Sequence, residues 1–561
     1  MESIGLQTID FVIIIVYLVG IVVYGIRKGK QQSSEDYFLA GRNMTWPIVG
    51  ISLFAANIGS NTLIGLTSDA FQQNVAVYNY EWMAAVVLVL FAIFFLPFYL
   101  KSKVYTMPEF LERRYDGRSR YLFSGVTIIG NVIIDTASGL YAGNLILKII
   151  FPDVESWIII AFLALAAAAY TIPGGLSSVV HTEVIQAVLL IFGSVLVTYF
   201  ALEQVGGWNG MIDGLNQMRA AGSIEKESGE ILSLIRPASD ERMPWTGLLL
   251  GVPLLGFYFW TNNQFMVQRV LSAKDLDHGR WGALFAGLLK LPVLFIMVIP
   301  GVIAIVLFSG LDISFLKYTL PESGEICANL ADCPNMTYPV LIYKLLPTGI
   351  LGLVIAGLLA AMSSSISATL NSASTLITMD FVQKIKPDMG SKALVRAGQI
   401  ATCVLVILAA AWAPMIESFA SLWEYLQLVL AYISPPIVAA FVVGLFYKRA
   451  NANGGFYGLV LGYGTIILFI ILQQTDAVPV FNEIHFLLQV PIFFVISCLL
   501  NIAVSNMSAA PGADKTDGMI WTKKIYTDET AELDALPWYK NYRILSVLLL
   551  IVTAIIVIWF R

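Results

Sequence analysis

The sequence predicts an all-α polytopic membrane protein whose core is two inverted halves of five helices. Three observations carry that prediction. Of 561 residues, 58% are hydrophobic and only 13% charged, against about 25% charged in an ordinary soluble domain. Apolar runs of bilayer length recur along the whole chain. Two of those runs, five apart in order, are broken by Gly, Pro and polar residues. The charges are too few to coat several soluble domains. The net charge of −5 and the lack of a basic block exclude a nucleic-acid binder, and the composition excludes a disordered chain.

The runs lie near 8–26, 47–70, 81–100, 121–148, 156–174, 181–203, 245–268, 281–308, 338–364, 394–414, 420–447, 455–473, 483–504 and 542–560. That is fourteen expected spans. The first is not a cleavable signal, because Met1 to Asp10 holds no basic residue and the run ends at Arg27, Lys28 and Lys30. Basic residues cluster at Lys101, Lys103, Arg113, Arg114, Arg118 and Arg120, and again at 269–280, 384–396, Lys448/Arg449 and 515–543. The loops near 204–243 and 309–337 are poorer in them. The positive-inside rule puts the basic clusters in the cytoplasm and both termini outside. The polar stretch 505–540 reads as an inside loop, partly disordered.

The second and seventh runs are the broken ones. In 47–70, Ala55-Ala56-Asn57-Ile58-Gly59-Ser60-Asn61-Thr62 interrupts the apolar pattern. In 245–268, Pro253, Gly256 and Thr261-Asn262-Asn263-Gln264 do so. An odd spacing of five gives halves of opposite orientation. A matched pair of interrupted spans points to an inverted-repeat transporter with its site at the breaks. Unwound backbone at membrane depth needs a cavity or an ion to satisfy it; packing glycines are the alternative.

Polar residues in the runs mark candidate sites. Lys290 lies nine residues inside the eighth run and calls for a carboxylate or a sugar hydroxyl, or else snorkels. Glu81 and Glu183 open the third and sixth runs, where each suits either an interface or a site. The ninth run enters a serine cluster in which 361, 364, 365 and 368 share one helical face. Hydroxyl and carbonyl oxygens are what a small hard cation requires. Trp423-Glu424-Tyr425-Leu426-Gln427 opens the eleventh run, and Ser434-Pro435-Pro436 is expected to kink or end its helix.

Cys327 and Cys333, in an outside loop, suit either a local disulfide or two free thiols; their spacing lacks two further ligands for zinc. Asn335-Met336-Thr337 matches a glycosylation acceptor in the same loop. No phosphate-cradling loop, metal-ligand cluster or catalytic triad is visible, so no enzyme is expected. No obligate protein partner is evident either.

The chain resembles the sodium/solute symporter family, and within it the sodium–glucose cotransporter branch. The matching stretches include ISLFAANIGS, VYTMPEFLERRY, YTIPGGLSSVVHTEVIQ, FMVQRVLSAKDL, LLKLPVLFIMVIPG, SSSISATLNSASTLITMDF and ISPPIVAAFVVGLFYKR, between roughly residues 35 and 465. A second signature runs from Gly444-Leu445 through Arg449 to Gly454-Gly455, with Gly455 in place of the usual Ala.

The resemblance implies a leucine-transporter-type five-plus-five fold, with a peripheral first helix (1–30), repeats at 45–205 and 244–450, an outside loop at 206–243 and peripheral helices over 451–561. It implies an electrogenic sodium symporter of the plasma membrane that imports a sugar or polyol by alternating access. The family's sodium site maps to the carbonyls of Ala55, Ile58 and Ala361 and the hydroxyls of Ser364 and Ser365. A second sodium, held in some members, maps to Glu183, Ser364 and Ser367; Ala368 lacks the hydroxyl that this site uses. The sugar site maps to Asn57, Glu81, Trp260, Lys290 and Gln427. It departs from the family pattern at Thr62, Gly256 and Phe259, and Phe259 and Tyr80 fall at gate positions. Fewer polar contacts and more room suggest a modified or larger sugar or another polyol, and Lys290 equally suits a sugar acid.

Overall fold

The computed structural model describes residues 6–29, 33–151, 153–316, 318, 325–418 and 422–561. Residues 1–5, in the head that was read as lacking basic residues, and Lys30 lie outside them. Among the described residues the chain is helical, with two isolated bridges and no strand.

Among the described residues, eleven stretches are long and apolar enough to cross a membrane, and some of them carry more than one of the fourteen expected runs. The runs themselves are helical, but they are joined or cut differently. Ser156–Val205 carries both the run at 156–174 and that at 181–203, as two helices that meet at a kink. It bends at Gly175, where φ is +55° and a Cβ would lie 2.5 Å from the Tyr37 carbonyl oxygen. Ser60–Ser102 likewise holds more than one helix, the end of the second run being separated from the third by a short 3₁₀ turn that begins at Asn74, where φ is +72°. The seventh run is cut into pieces too short to count.

The helices that position the site are labelled in chain order. They are α1 (Thr8–Lys28), α2 (Trp46–Asn57), α3 (Ser60–Gln73), α4 (Asn79–Leu90), α5 (Gly117–Gly130), α6 (Ala137–Ile150) and α7 (Ser156–Val205). Then follow α8 (Val252–Phe257), α9 (Gln264–Leu271), α10 (Leu276–Lys290), α11 (Ile350–Leu376), α12 (Leu422–Phe446), α13 (Lys523–Asp534) and α14 (Tyr542–Trp559). α7 packs on α11, α2 on α10, and α1 on both α7 and α11.

Four expectations are corrected. The ninth run does not begin at 338. A short helix, Thr337–Leu345, ends ahead of Pro347 and Gly349, and α11 starts at Ile350. The serines therefore sit in the middle of α11. Its first turn is capped by Asp10 of α1, whose carboxylate accepts the N–H groups of Gly349 (2.7 Å) and Gly352 (2.8 Å). α12 runs on through Pro435 and Pro436 to Phe446; buried neighbours stabilise a proline-bearing helix in this setting.

The stretch 505–540 is not a bare linker. α13 docks through buried Leu533 and through Glu529, which pairs with Arg280 and with Arg543 (3.0 Å). The Arg280 guanidinium also lies over the Tyr542 ring at 3.9 Å. Asn335 is buried, and its Oδ1 accepts from the Ser68 hydroxyl at 3.4 Å. The folded chain does not present it as a glycosylation acceptor. Cys327 and Cys333 are disulfide-bonded.

Candidate functional site

The first broken span builds half of the site. α2 stops at Asn57, Ile58 and Gly59 leave helical geometry, and α3 restarts at Ser60. The Gly59 N–H bonds the Asn57 carbonyl (3.2 Å) rather than reaching back one full turn. The Ala55 carbonyl takes the Ser364 hydroxyl of α11 instead, at 3.4 Å, and the Ala56 carbonyl takes Ser365 at 3.3 Å. The Thr62 N–H turns to Asn61 Oδ1 (2.9 Å), so Ile58 keeps a carbonyl outside the helical ladder. A Cβ on Gly59 would stand 2.4 Å from Ser365 Oγ, so the close approach of the break to α11 needs glycine. Ala55, Ile58, Ala361, Ser364 and Ser365 are all buried. The unwound backbone of the first span and the serine face of α11 thus meet.

The groups mapped to a second sodium are engaged elsewhere. Glu183 is ion-paired with Arg269 and accepts from Ser52. Ser367 donates to the Tyr170 hydroxyl and accepts from Thr171, both at 2.7 Å. Neither Glu183 nor Ser367 is bonded to the other.

On the other side of the break lies a cavity with about 90 Å³ open to the centre of a water molecule. It is lined by Asn57, Thr62, Glu81, Trp260, Lys290 and Gln427, six positions drawn from six separate helical segments, with Tyr80, Gly256 and Phe259. Lys290 and Glu81 are ion-paired, and both are buried. The Lys290 ammonium lies 5.6 Å from the Trp260 ring and 5.9 Å from that of Phe54. The second broken span supplies Trp260 and Phe259 from a π-helical turn, Tyr258–Asn262, between α8 and α9. Such turns present side chains that a regular helix would stack away. The Phe259 and Trp260 rings meet edge to face at 5.3 Å, and Tyr80 meets Trp423 likewise at 5.9 Å.

Among the lining residues with polar side-chain atoms, sequence reasoning missed Asn61, Asp135, Thr369 and Trp423. Asp135 was legible as an acid in the middle of an apolar run. Among the described residues, two buried atoms in this wall have no hydrogen-bond partner, Asn57 Oδ1 and Trp423 Nε1. One is an acceptor and the other a donor, and a buried polar atom left unpaired costs about 1–3 kcal/mol.

The sodium:solute symporter family model matches residues 37–462. A sodium/glucose cotransporter 1 of Ovis aries is 31% identical over 94% of this chain and 82% of that protein. A sodium/myo-inositol cotransporter of Bos taurus is 32% identical over 92% and 76%, and a sodium/mannose cotransporter of Bos taurus 32% over 92% and 89%. A Na+-coupled sialic acid symporter, solved in a substrate-bound outward-open state, superposes with a TM-score of 0.72 at 22% identity, over 90% of this chain and 99% of that one. Mhp1, a nucleobase-cation-symport-1 family transporter, superposes at 0.54 with 13% identity, over 87% and 99%. The fold is therefore the leucine-transporter type that the family resemblance implied. With the family model covering most of its length, the chain belongs to the sodium:solute symporter family.

Proposed function

We propose that this symporter carries one sodium ion with a sugar or sugar-like polyol by alternating access, inward across the plasma membrane. The observation that carries the cargo reading is the pair of unsatisfied buried atoms beside an ion pair in one cavity: Asn57 Oδ1, Trp423 Nε1 and Glu81–Lys290. A polyol offers a donor and an acceptor at every hydroxyl. A wall that needs both is completed by it and rejects analogues lacking those hydroxyls. The relatives named for glucose, myo-inositol and mannose lend the same direction. A sugar acid fits less well, because the Lys290 charge is already matched by Glu81.

The ion site in this reading is the carbonyls of Ala55, Ile58 and Ala361 with the Ser364 and Ser365 hydroxyls. Sodium there ties the unwound segment to α11 and biases the ensemble toward a cargo-competent state. The cargo meets Asn57, Thr62, Glu81, Trp260, Lys290 and Gln427 on the far side of the same segment, and Phe259 and Tyr80 close over it. The repeats span 45–205 and 244–450, and the basic loops face the cytoplasm. Moving one charge through 100 mV supplies about 2.3 kcal/mol, and a tenfold sodium gradient about 1.4 kcal/mol. One sodium therefore supports roughly 500-fold accumulation.

Uptake in proteoliposomes under an inward sodium gradient tests this, with glucose, galactose, myo-inositol, an N-acetylated hexosamine and a uronic acid. Uphill accumulation of one compound, abolished when potassium replaces sodium, is the expected result. Sodium-dependent binding without accumulation would instead make the protein a sensor on a transporter scaffold.

A further inference from the structure

The cavity holds one more charged side chain than a neutral sugar needs. Asp135 lies in a π-helical turn, Asn131–Thr136, between α5 and α6, and lines the cavity. Its neighbours on that turn are anchored to α11. Asn131 Nδ2 donates to the Ser372 hydroxyl (2.9 Å), and the Thr136 hydroxyl shares a hydrogen bond with that of Thr369 (2.7 Å). The turn is thereby fixed, and neither anchor uses the Asp135 carboxylate. Ser138 bonds the backbone carbonyl of Asp135, not its side chain. Among the described residues no donor or cation engages that carboxylate.

The charges on the wall do not balance. Lys290 is the one basic residue lining the cavity, and it is neutralised by Glu81. Asp135 is left over. A lone carboxylate at membrane depth is costly and marks a functional site by default. A hard cation collects several oxygen ligands, and no cluster of three or more His, Cys, Asp or Glu is present among the described residues. An organic ammonium needs only one carboxylate and a few acceptors, and Asn57 Oδ1 is an unused acceptor on the same cavity.

We propose that Asp135 is an ammonium subsite and that the preferred cargo is an amino sugar, a hexose with one hydroxyl replaced by a protonated primary amine. This rests on the sugar-site reading above. The same charge disfavours a uronic acid by like-charge repulsion.

The test compares sodium-driven uptake of glucose, 2-amino-2-deoxyglucose, 6-amino-6-deoxyglucose and glucuronate, across a pH series from mildly acid to mildly alkaline, so that amine and carboxylate are charged together within it. At least one amino sugar has a KM about tenfold below that of glucose, since a charge-assisted hydrogen bond exceeds a neutral one by roughly that factor. In Asp135→Asn the ratio of the two KM values falls toward one. The ratio cancels changes in folding and in sodium affinity, and the unmodified protein alone tests the preference if the variant fails to fold. Glucose carried as well as, or better than, both amines overturns the subsite and leaves the sugar symporter standing. Uptake of none of the four overturns the subsite, and uptake of none of the wider sugar and polyol panel overturns both. A changed sodium Hill coefficient in Asp135→Asn at an unchanged ratio also overturns it, by giving the carboxylate to a second sodium.

Discussion

The Lys290 ammonium of α10 is paired with the Glu81 carboxylate of α4 inside the membrane-spanning core, 209 residues away in the chain. Neither residue is exposed, and the pair forms part of the cargo wall. A buried pair gives little net stability, yet either member alone is an uncompensated charge.

Glu81→Gln and Lys290→Met therefore each destabilise the protein by about 3–5 kcal/mol, while the double variant loses less than the sum. Cargo uptake is lost in all three. Thermal unfolding in detergent and proteoliposome uptake, run together, check both parts. Additive losses in the double variant would mean that the two groups do not interact.

Ser365→Ala raises the sodium concentration for half-maximal uptake about tenfold or more, because it removes one of the few hydroxyl ligands. Its stability without sodium stays close to that of the unmodified protein. Gly59→Ala acts on the same contact by sterics, since its Cβ would collide with Ser365 Oγ. Uptake by Ser365→Ala with unchanged sodium dependence would remove this residue from the ion site.

Glu183 is ion-paired with Arg269, and both are buried. Glu183→Ala leaves Arg269 buried and unpaired, and stability falls by about 3–5 kcal/mol. The protein moves one positive charge per neutral cargo molecule. Current and tracer uptake measured in the same cells give that ratio, and a value near two would restore a second sodium.

Gly175→Ala destabilises by about 1–3 kcal/mol, because the bend in α7 holds this residue at positive φ against the Tyr37 backbone. Differential scanning fluorimetry checks it. Gly464→Ala, where nothing lies within 4 Å of the added methyl, is the matched control and leaves stability unchanged or raised.

Glu529 ties α13 to α10 and α14. Burial pushes its carboxyl up, but hydrogen bonding to and the charge of Arg280, with hydrogen bonds to Tyr542 and Arg543, outweigh that and hold it below the usual range. A carboxyl lowered in the folded state stabilises above its unfolded pKa, and that contribution is lost as pH falls through the folded one. The docking of α13 therefore weakens only below about pH 4, beneath the ordinary glutamate value. Glu529→Gln brings the loosening to neutral pH. Hydrogen exchange over 523–534 reads it directly.

Much of the architecture was written locally in the chain. Apolar run length marked the helices, because the bilayer thickness sets it. The breaks at Ile58-Gly59 and at Asn263 were visible as polar and Gly/Pro interruptions. The serine face of α11 followed from helical periodicity alone. These signals need only neighbours within one or two turns. Tertiary structure decided which polar groups meet. It gave Lys290 to Glu81 and Glu183 to Arg269, and it placed Asp10 on the start of α11, 339 residues away. It also turned Asp135 and Trp423 into the cargo cavity. Such pairings depend on how each helix is rotated and packed, which one-dimensional spacing does not encode. The helix boundaries show the same division: composition marked the fourteen apolar runs, but packing decided where the backbone breaks between them, at Gly175 and in the short turn after α3.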